Sequence, residues 1–234
     1  MLNITGLHAA YGNIKVLNGV SLSVPGGSIA TILGRNGSGR SSTCKAVMGL
    51  LPPMAGEVVL NGVNLAGMPA HEISRSGIGY VPEDRQIFRN LSVEENLRIG
   101  MHPAKAGRPA WAMDELYDVF PRLRERRNIK AGFLSGGEQQ MLTLFRTLLT
   151  NPEVMLIDEP TEGLAPKVVE ALAEVILEMK RRGLALLLLE QKLAMVMRLT
   201  DRVFVMGRGE IVFSGTVSEF QENEAVRKTW LEVS

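Results

Sequence analysis

Only one cysteine, Cys44, occurs in the 234 residues, so no internal disulfide can form and a reducing compartment fits. An excess of either charge is also missing: 26 Lys and Arg stand against 25 Asp and Glu, a formal net charge of +1. A balance this even argues against a protein that binds nucleic acid by neutralising phosphates. The longest aliphatic run, Leu184 to Leu189, falls far short of the roughly 20 residues that span a bilayer. Met1 to Gly12 has no basic stretch followed by an apolar one, so no secretory signal is expected. No internal repeat, low-complexity tract or linker interrupts the chain. What is present is 45% hydrophobic residues and enough length for one large α/β domain, or a core with a smaller appended subdomain. The expectation is a cytosolic protein whose contact with any membrane comes through partners.

Residues 1 to about 33 read as short strands. Val20, Leu22 and Val24 alternate with polar positions, Pro25-Gly26-Gly27 turns the chain, and Ile29 to Leu33 is almost unbroken apolar sequence. A second β signal runs from Glu57 to Leu60 and resumes at Val63 to Leu65, with Asn61-Gly62 as the hairpin turn between them. From about 90 to 150 the pattern is helical. Ser92 and Glu95 have capping-box spacing, and Met113, Leu116, Tyr117 and Phe120 share one helical face. Val154 to Ile157 then reads as a strand, Pro166 to Arg182 as a helix followed by Gly183, and Leu184 to Leu189 as another strand. Continuously apolar strands alternating with helices indicate a parallel sheet covered on both faces. Val203 to Phe213 reads as a hairpin turning at Gly207-Arg208-Gly209.

Three stretches carry chemistry. Gly34-Arg35-Asn36-Gly37-Ser38-Gly39-Arg40-Ser41 lies between a buried strand and a helix, the context of a phosphate-binding P-loop. Its glycines let backbone N–H groups converge on phosphate oxygens, and the helix N-terminus adds partial positive charge. Ser41 would place its hydroxyl on Mg²⁺. The plain alternative is a glycine-rich turn before a helix. The motif asks for Lys where this chain has Arg40, which keeps the charge on a larger planar fork. Second, the strand Val154 to Ile157 delivers Asp158 and Glu159 at its carboxyl end, where open α/β sheets bind ligands. Asp158 would hold Mg²⁺ and Glu159 would polarise an attacking water as general base. Alone, the two acids could be solvated turn residues. Third, Leu134-Ser135-Gly136-Gly137-Glu138-Gln139-Gln140 precedes a helix bearing Met141, Leu142, Phe145, Leu148 and Leu149. Ser135 with Glu138 is also a capping box.

Leu134 to Gln140, lying ahead of the acidic strand, resembles the signature sequence of ABC-transporter ATPases, and the resemblance covers essentially the whole chain. More narrowly, the chain resembles the second ATPase subunit of branched-chain amino-acid importers. The stretches that carry this likeness are Gly79 to Arg85, Ser135 to Leu142, Glu162-Gly163-Leu164-Ala165-Pro166, Leu189-Glu190-Gln191 and Asn223 to Arg227. Glu162-Gly163 and Gly34 to Gly37 are also similar to the ATPases of urea and amide importers. The fold implied is α/β, a P-loop NTPase (ABC ATPase) core with an N-terminal antiparallel β portion and a helical subdomain insertion. It would form a single ATP-binding domain over 1–234: β portion and P-loop core 1–89, helical subdomain 90–150, and the rest of the α/β core 151–234.

The resemblance also implies ATP and Mg²⁺ as ligands. Tyr11 would stack on adenine and Val16 would line the base. Gly34 to Ser41, with Ser42, would cradle the phosphates. Ser41, Asp158 and Glu83 would surround the metal, and Glu159 with Gln191 would act on the γ-phosphate. Ser135, Gly136, Gly137 and Glu138 would reach the γ-phosphate held by a second ATPase subunit, head to tail. Glu83 stands where the broader family has Gln, Gln191 where it has a switch His, and Ala165 where an acid is common; His8, His71 and His102 lie elsewhere. All three exchanges resemble the importer subfamily. Gln191 can donate a hydrogen bond but cannot titrate near neutral pH. Arg40 departs even from the subfamily. The partners implied are membrane permease subunits, a second ATP-binding subunit (identical or paralogous) and, indirectly, a periplasmic solute-binding protein, with no nucleic acid. The location implied is the inner face of a bacterial cell membrane, held peripherally. An alternative is a subunit that clamps ATP but hydrolyses it poorly beside an active paralogue. A soluble ABC ATPase of translation or DNA repair is a third reading, although the fused second cassette or coiled-coil insertion usual there is missing.

Overall fold

The computed structural model describes residues 1–104 and 110–231. Strands β1 (Leu2–Tyr11) and β2 (Ile14–Val24) form an antiparallel pair, and β1 also pairs with β4 (Pro53–Leu60), which turns through Asn61-Gly62 into β5 (Val63–Asn64). The order of this sheet is β2-β1-β4-β5. The opening strands are long rather than short. Asn3, Thr5 and His8 look like breaks in the sequence, yet they alternate with buried Leu2, Ile4, Leu7 and Ala9 as the outward residues of a half-buried strand. Register shifts between Ile4 and Leu7 and again between Ala9 and Ala10 let β1 bend without losing its partners.

The second sheet has the order β10-β9-β3-β8-β7-β6. Its strands are β3 (Ile29–Gly34), β6 (Ile78–Val81), β7 (Val154–Asp158), β8 (Ala185–Glu190), β9 (Arg202–Gly207) and β10 (Glu210–Thr216). All neighbours run parallel except β9 and β10, which form the expected hairpin with Arg208-Gly209 at its turn. Every residue of β3, β7 and β8 is buried. Along β8 the side chains alternate between two cores. Ala185, Leu187 and Leu189 pack toward the antiparallel sheet with Leu2, Val20 and Val58, whereas Leu186 and Leu188 pack with Met141, Phe145 and Ile176 on the other face. That two-sided burial is why these strands read as unbroken apolar runs.

Helix α1 (Arg40–Val47) follows β3, and α2 (Ala70–Ser76) precedes β6. The helical region holds α3 (Val93–Gly100), α4 (Met113–Val119), α5 (Pro121–Glu125) and α6 (Gly136–Leu148); residues 105–109 of the expected 90–150 stretch lie outside the described residues. Both capping boxes form, Ser92 with Glu95 and Ser135 with Glu138. Leu116 and Tyr117 are buried and Met113 and Phe120 pack beside them, as the helical face predicts. Helix α7 (Pro166–Arg181) covers the sheet, and α8 (Leu193–Leu199), α9 (Val217–Glu222) and α10 (Glu224–Trp230) complete the chain. Among the described residues, no helix is long and apolar enough to cross a membrane.

The parallel register sets the place of the site. Leu33 pairs with Glu190 and Asp158 with Leu189, so the carboxyl ends of β3, β7 and β8 finish side by side.

Candidate functional site

Where β3 runs out, the chain turns over Arg35 to Ser38, closed by the Ser38 N–H donating to the Arg35 carbonyl at 3.0 Å, and enters α1 at Gly39. Gly39 has φ 113, and a Cβ there would sit 2.9 Å from the Val16 carbonyl, so only glycine permits both the turn and the approach of β2. A Cβ on Gly34 would meet the Met206 carbonyl and Ser38 Oγ, each at 2.6 Å. The first-turn N–H groups of α1 have no partners inside the helix and face a cavity of about 370 Å³. Val16 and Asn36 to Ser42 line it, together with Glu83, Glu159, Glu162 and Gln191. Gly34 and Arg35 do not; with Asn36 and Gln191 they line an adjoining cavity of about 510 Å³ beneath α10. Ser38 Oγ is buried with no hydrogen-bond partner among the described residues. An unpartnered hydroxyl within a curl of free N–H groups fits a loop whose ligand brings its own oxygens.

Arg40 is 5% exposed, and its guanidinium serves three acceptors. Nη2 donates to a Glu159 carboxylate oxygen in a short ion pair and lies 3.3 Å from Asn36 Oδ1, while Nη1 donates to the Glu190 carbonyl at 3.1 Å. Gln191 Nε2 lies 2.7 and 2.8 Å from the two Glu159 oxygens and 2.8 Å from Asn36 Oδ1. Glu159 itself has φ 46, a left-handed conformation that costs a non-glycine residue on the order of 1–3 kcal/mol. Its N–H donates to the Leu189 carbonyl at 3.0 Å, which fixes the turn between the ends of β7 and β8.

Asp158 is 1% exposed and accepts from Ser41 Oγ at 3.1 Å and from the Tyr80 hydroxyl at 3.4 Å. Burial pushes its carboxyl above the usual carboxylate range. The Ser41 hydrogen bond opposes that shift, Glu83 and Glu159 reinforce it, and Arg40 opposes it. Burial likewise pushes up the Tyr80 hydroxyl, with Cys44 and Asp158 adding to the effect, so Tyr80 stays a donor. A carboxylate disfavoured in this way gains from a cation. Among the described residues no cluster of three His, Cys, Asp or Glu could chelate a metal unaided. Mg²⁺ does not need one, because it is normally held by one or two carboxylates together with phosphate oxygens and water. Ser41 and Asp158, with Glu83 at the cavity wall, match that donor set.

Two candidate groups stand apart. Tyr11 ends β1 at 47% exposure, outside the cavity lining, although Val16 on the next strand is inside it. Ser135 to Glu138 begin α6 away from the cavity; a Cβ on Gly136 would lie 2.9 Å from the Arg85 guanidinium and one on Gly137 would lie 3.0 Å from Val168. Ser135 is exposed, whereas Glu138 is 3% exposed and its carboxylate is committed to the Ser135 N–H and hydroxyl and to Arg126 Nη1, at 2.8, 2.8 and 2.9 Å. The Glu138 backbone N–H donates to Ser135 Oγ at 3.4 Å, so both its carboxylate and its N–H are engaged in the helix cap. In the sequence Tyr80, Glu162 and Glu190 stand out only as parts of stretches that carry the family likeness, and Thr161 does not stand out at all. Their signal lay in being polar residues at or just past the ends of buried strands.

The family model described as "ABC transporter" matches residues 17–162, more than half of the chain. Over 231 residues the chain is 37% identical to the high-affinity branched-chain amino acid transport ATP-binding protein BraG of Pseudomonas aeruginosa, covering 99% of each. It is 35% identical over 229 residues to the probable branched-chain amino acid transport ATP-binding protein LivF of Archaeoglobus fulgidus, covering 97% of each. Among solved structures, the ADP conformation of an ATP-binding cassette of an ABC transporter superposes with a TM-score of 0.80 at 29% identity, over 95% of this chain and 93% of that one.

Proposed function

The chain belongs to the ABC transporter family, and from that premise we propose that it is the ATP-hydrolysing subunit of a membrane importer for branched-chain amino acids or related small solutes. The observation that carries the proposal is the meeting of Glu159 and Gln191 at the mouth of the phosphate loop, 2.7 Å apart. The full-length likeness to branched-chain amino acid transport proteins supports the solute class.

Asn36 to Ser42 receive the triphosphate on the free N–H groups of the loop and of α1, with Arg40 supplying charge. Val16 borders the base, and exposed Tyr11 is available to stack on it. Ser41, Asp158 and Glu83 would hold Mg²⁺, which would supply positive charge against the negative charge that develops on the phosphate. Glu159 orients a water and takes its proton. Gln191 holds the Glu159 carboxylate through its amide and then offers the same donor to the γ-phosphate. Glu159 at the cavity favours turnover over a subunit that only clamps ATP.

Ser135, Gly136 and Gly137 open a helix of 13 residues on a surface away from this cavity, suited to meeting the nucleotide of a second ATP-binding subunit. A groove of about 560 Å³ lined by Gln86, Ile87, Phe88, Ile99 and Gly100 leaves Phe88 and Ile99 about half exposed. It suits a short amphipathic helix of a permease on the inner face of a bacterial membrane. A solute-binding protein outside the cell would select the cargo.

The test is reconstitution with permease subunits and a partner ATPase in vesicles. ATP-driven uptake of labelled leucine, isoleucine or valine is expected, and it should vanish with Glu159→Gln. ATP hydrolysis without uptake of any of the three would overturn the solute class, and no hydrolysis in any assembly would overturn the enzyme.

A further inference from the structure

Glu190 is 2% exposed at the last position of β8, a strand otherwise built from aliphatic side chains. A buried carboxylate is costly unless its oxygens are satisfied, and both of these are. Oε1 accepts from Thr161 Oγ1 at 2.6 Å, and Oε2 accepts the N–H groups of Gln191 and Lys192 at 3.0 and 3.1 Å. Lys192 Nζ reaches back to the Thr161 carbonyl at 2.9 Å. Thr161 lies two residues past Glu159 on the loop after β7, and Gln191 and Lys192 form the loop after β8. The carboxylate therefore clasps the two loops that carry Glu159 and Gln191, and its own carbonyl anchors Arg40 at 3.1 Å. An apolar side chain would fill the same space without fixing either loop.

We propose that Glu190 is a positioning residue for ATP hydrolysis, which sets the Gln191 amide against Glu159 by holding the two loops as one unit. This rests on the reading of Gln191 as a participant at the γ-phosphate. Glu190 touches none of the reacting atoms and acts through Gln191. Its removal is expected to leave nucleotide binding alone and slow the chemical step, because a displacement of about 1 Å at a reacting geometry can cost on the order of a hundredfold.

The experiment is steady-state MgATP hydrolysis by the assembled ATPase dimer, with kcat and KM measured for Glu190→Ala, Gln191→Ala, the double variant, Glu190→Gln and Thr161→Val. Glu190→Ala is expected to lower kcat at least about tenfold with KM held within about twofold. The double variant is expected to be no slower than Gln191→Ala, since the two act as a unit. Glu190→Gln keeps an acceptor for both N–H groups and is expected to retain kcat within about threefold, because the Thr161 hydroxyl can turn to accept. If Gln191→Ala turns over like the wild type, the reading of Gln191 falls and this inference with it. If Gln191→Ala is slow but Glu190→Ala is not, or if the two losses multiply, only the inference falls. Should Glu190→Ala not fold, Thr161→Val in the same cycle decides: a loss absorbed by Gln191→Ala supports the proposal, and an independent one overturns it.

Discussion

Replacing Arg40 by Lys restores the residue that the phosphate-loop motif asks for, and the structure gives the change a magnitude. The Arg40 fork serves Glu159, Asn36 and the Glu190 carbonyl together, whereas a lysine ammonium is a point charge that cannot span all three. Hydrogen bonds to charged groups are each worth about 1.5–3 kcal/mol. Losing one or two, with partial recovery by water, takes about 2 kcal/mol from the nucleotide-free protein, or roughly 4–8 °C in Tm. Turnover moves the other way. Arg40 and Gln191 both engage Glu159 Oε1, so that oxygen takes up a water only as Arg40 lets go. Each 1.4 kcal/mol of that contact persisting in the ATP complex slows the step about tenfold. Arg40→Lys is therefore expected to raise turnover about three- to tenfold and to change ATP affinity by less than about tenfold. Phosphate release by the reconstituted dimer, calorimetric binding and a thermal melt measure the three quantities. A fall in turnover would refute the reasoning and show a loop adapted to arginine.

Glu159→Gln keeps shape and removes the base, so it is expected to bind MgATP, hydrolyse it far more slowly and accumulate as an ATP-bound dimer; size-exclusion chromatography alone and with the partner ATPase checks this, and a monomer in both sinks the two-subunit site. Asp158→Asn is expected to stabilise the nucleotide-free protein at pH 7 while weakening Mg²⁺-dependent turnover. Its carboxyl titrates above the usual range, so the folded protein loses stability as pH rises from about 4 through that raised value. The gain in Tm should shrink as pH falls toward 4, and a gain independent of pH would refute it. A cysteine at Arg85 is expected to cross-link to a permease in membranes, and no cross-link in any nucleotide state counts against the groove. A Cβ on Gly100 would lie 2.0 Å from the Arg146 carbonyl, so Gly100→Ala must separate α3 from α6. Overpacking of this kind costs about 1–3 kcal/mol, or about 2–12 °C in Tm, and an unchanged melt would show that α3 can shift freely.

The amino-acid order by itself determined the two-sided parallel sheet, both capping boxes, the glycine turn into α1 and the acids closing β7, because each is a local rule: side-chain period, cap chemistry or positive φ. It understated β1 and β2, whose polar positions look like interruptions until a sheet covers one face only. Tertiary structure alone decided which candidates meet. The parallel register places Arg40, Glu159 and Gln191 together although they are far apart in the chain, and it leaves Tyr11 and Ser135 outside the cavity. Nor could sequence show that Arg40 grips Glu159 or that Glu190 clasps two loops. Those contacts join residues 119 and 29 positions apart, and they arise only where buried strand ends bring charge into a space with little water.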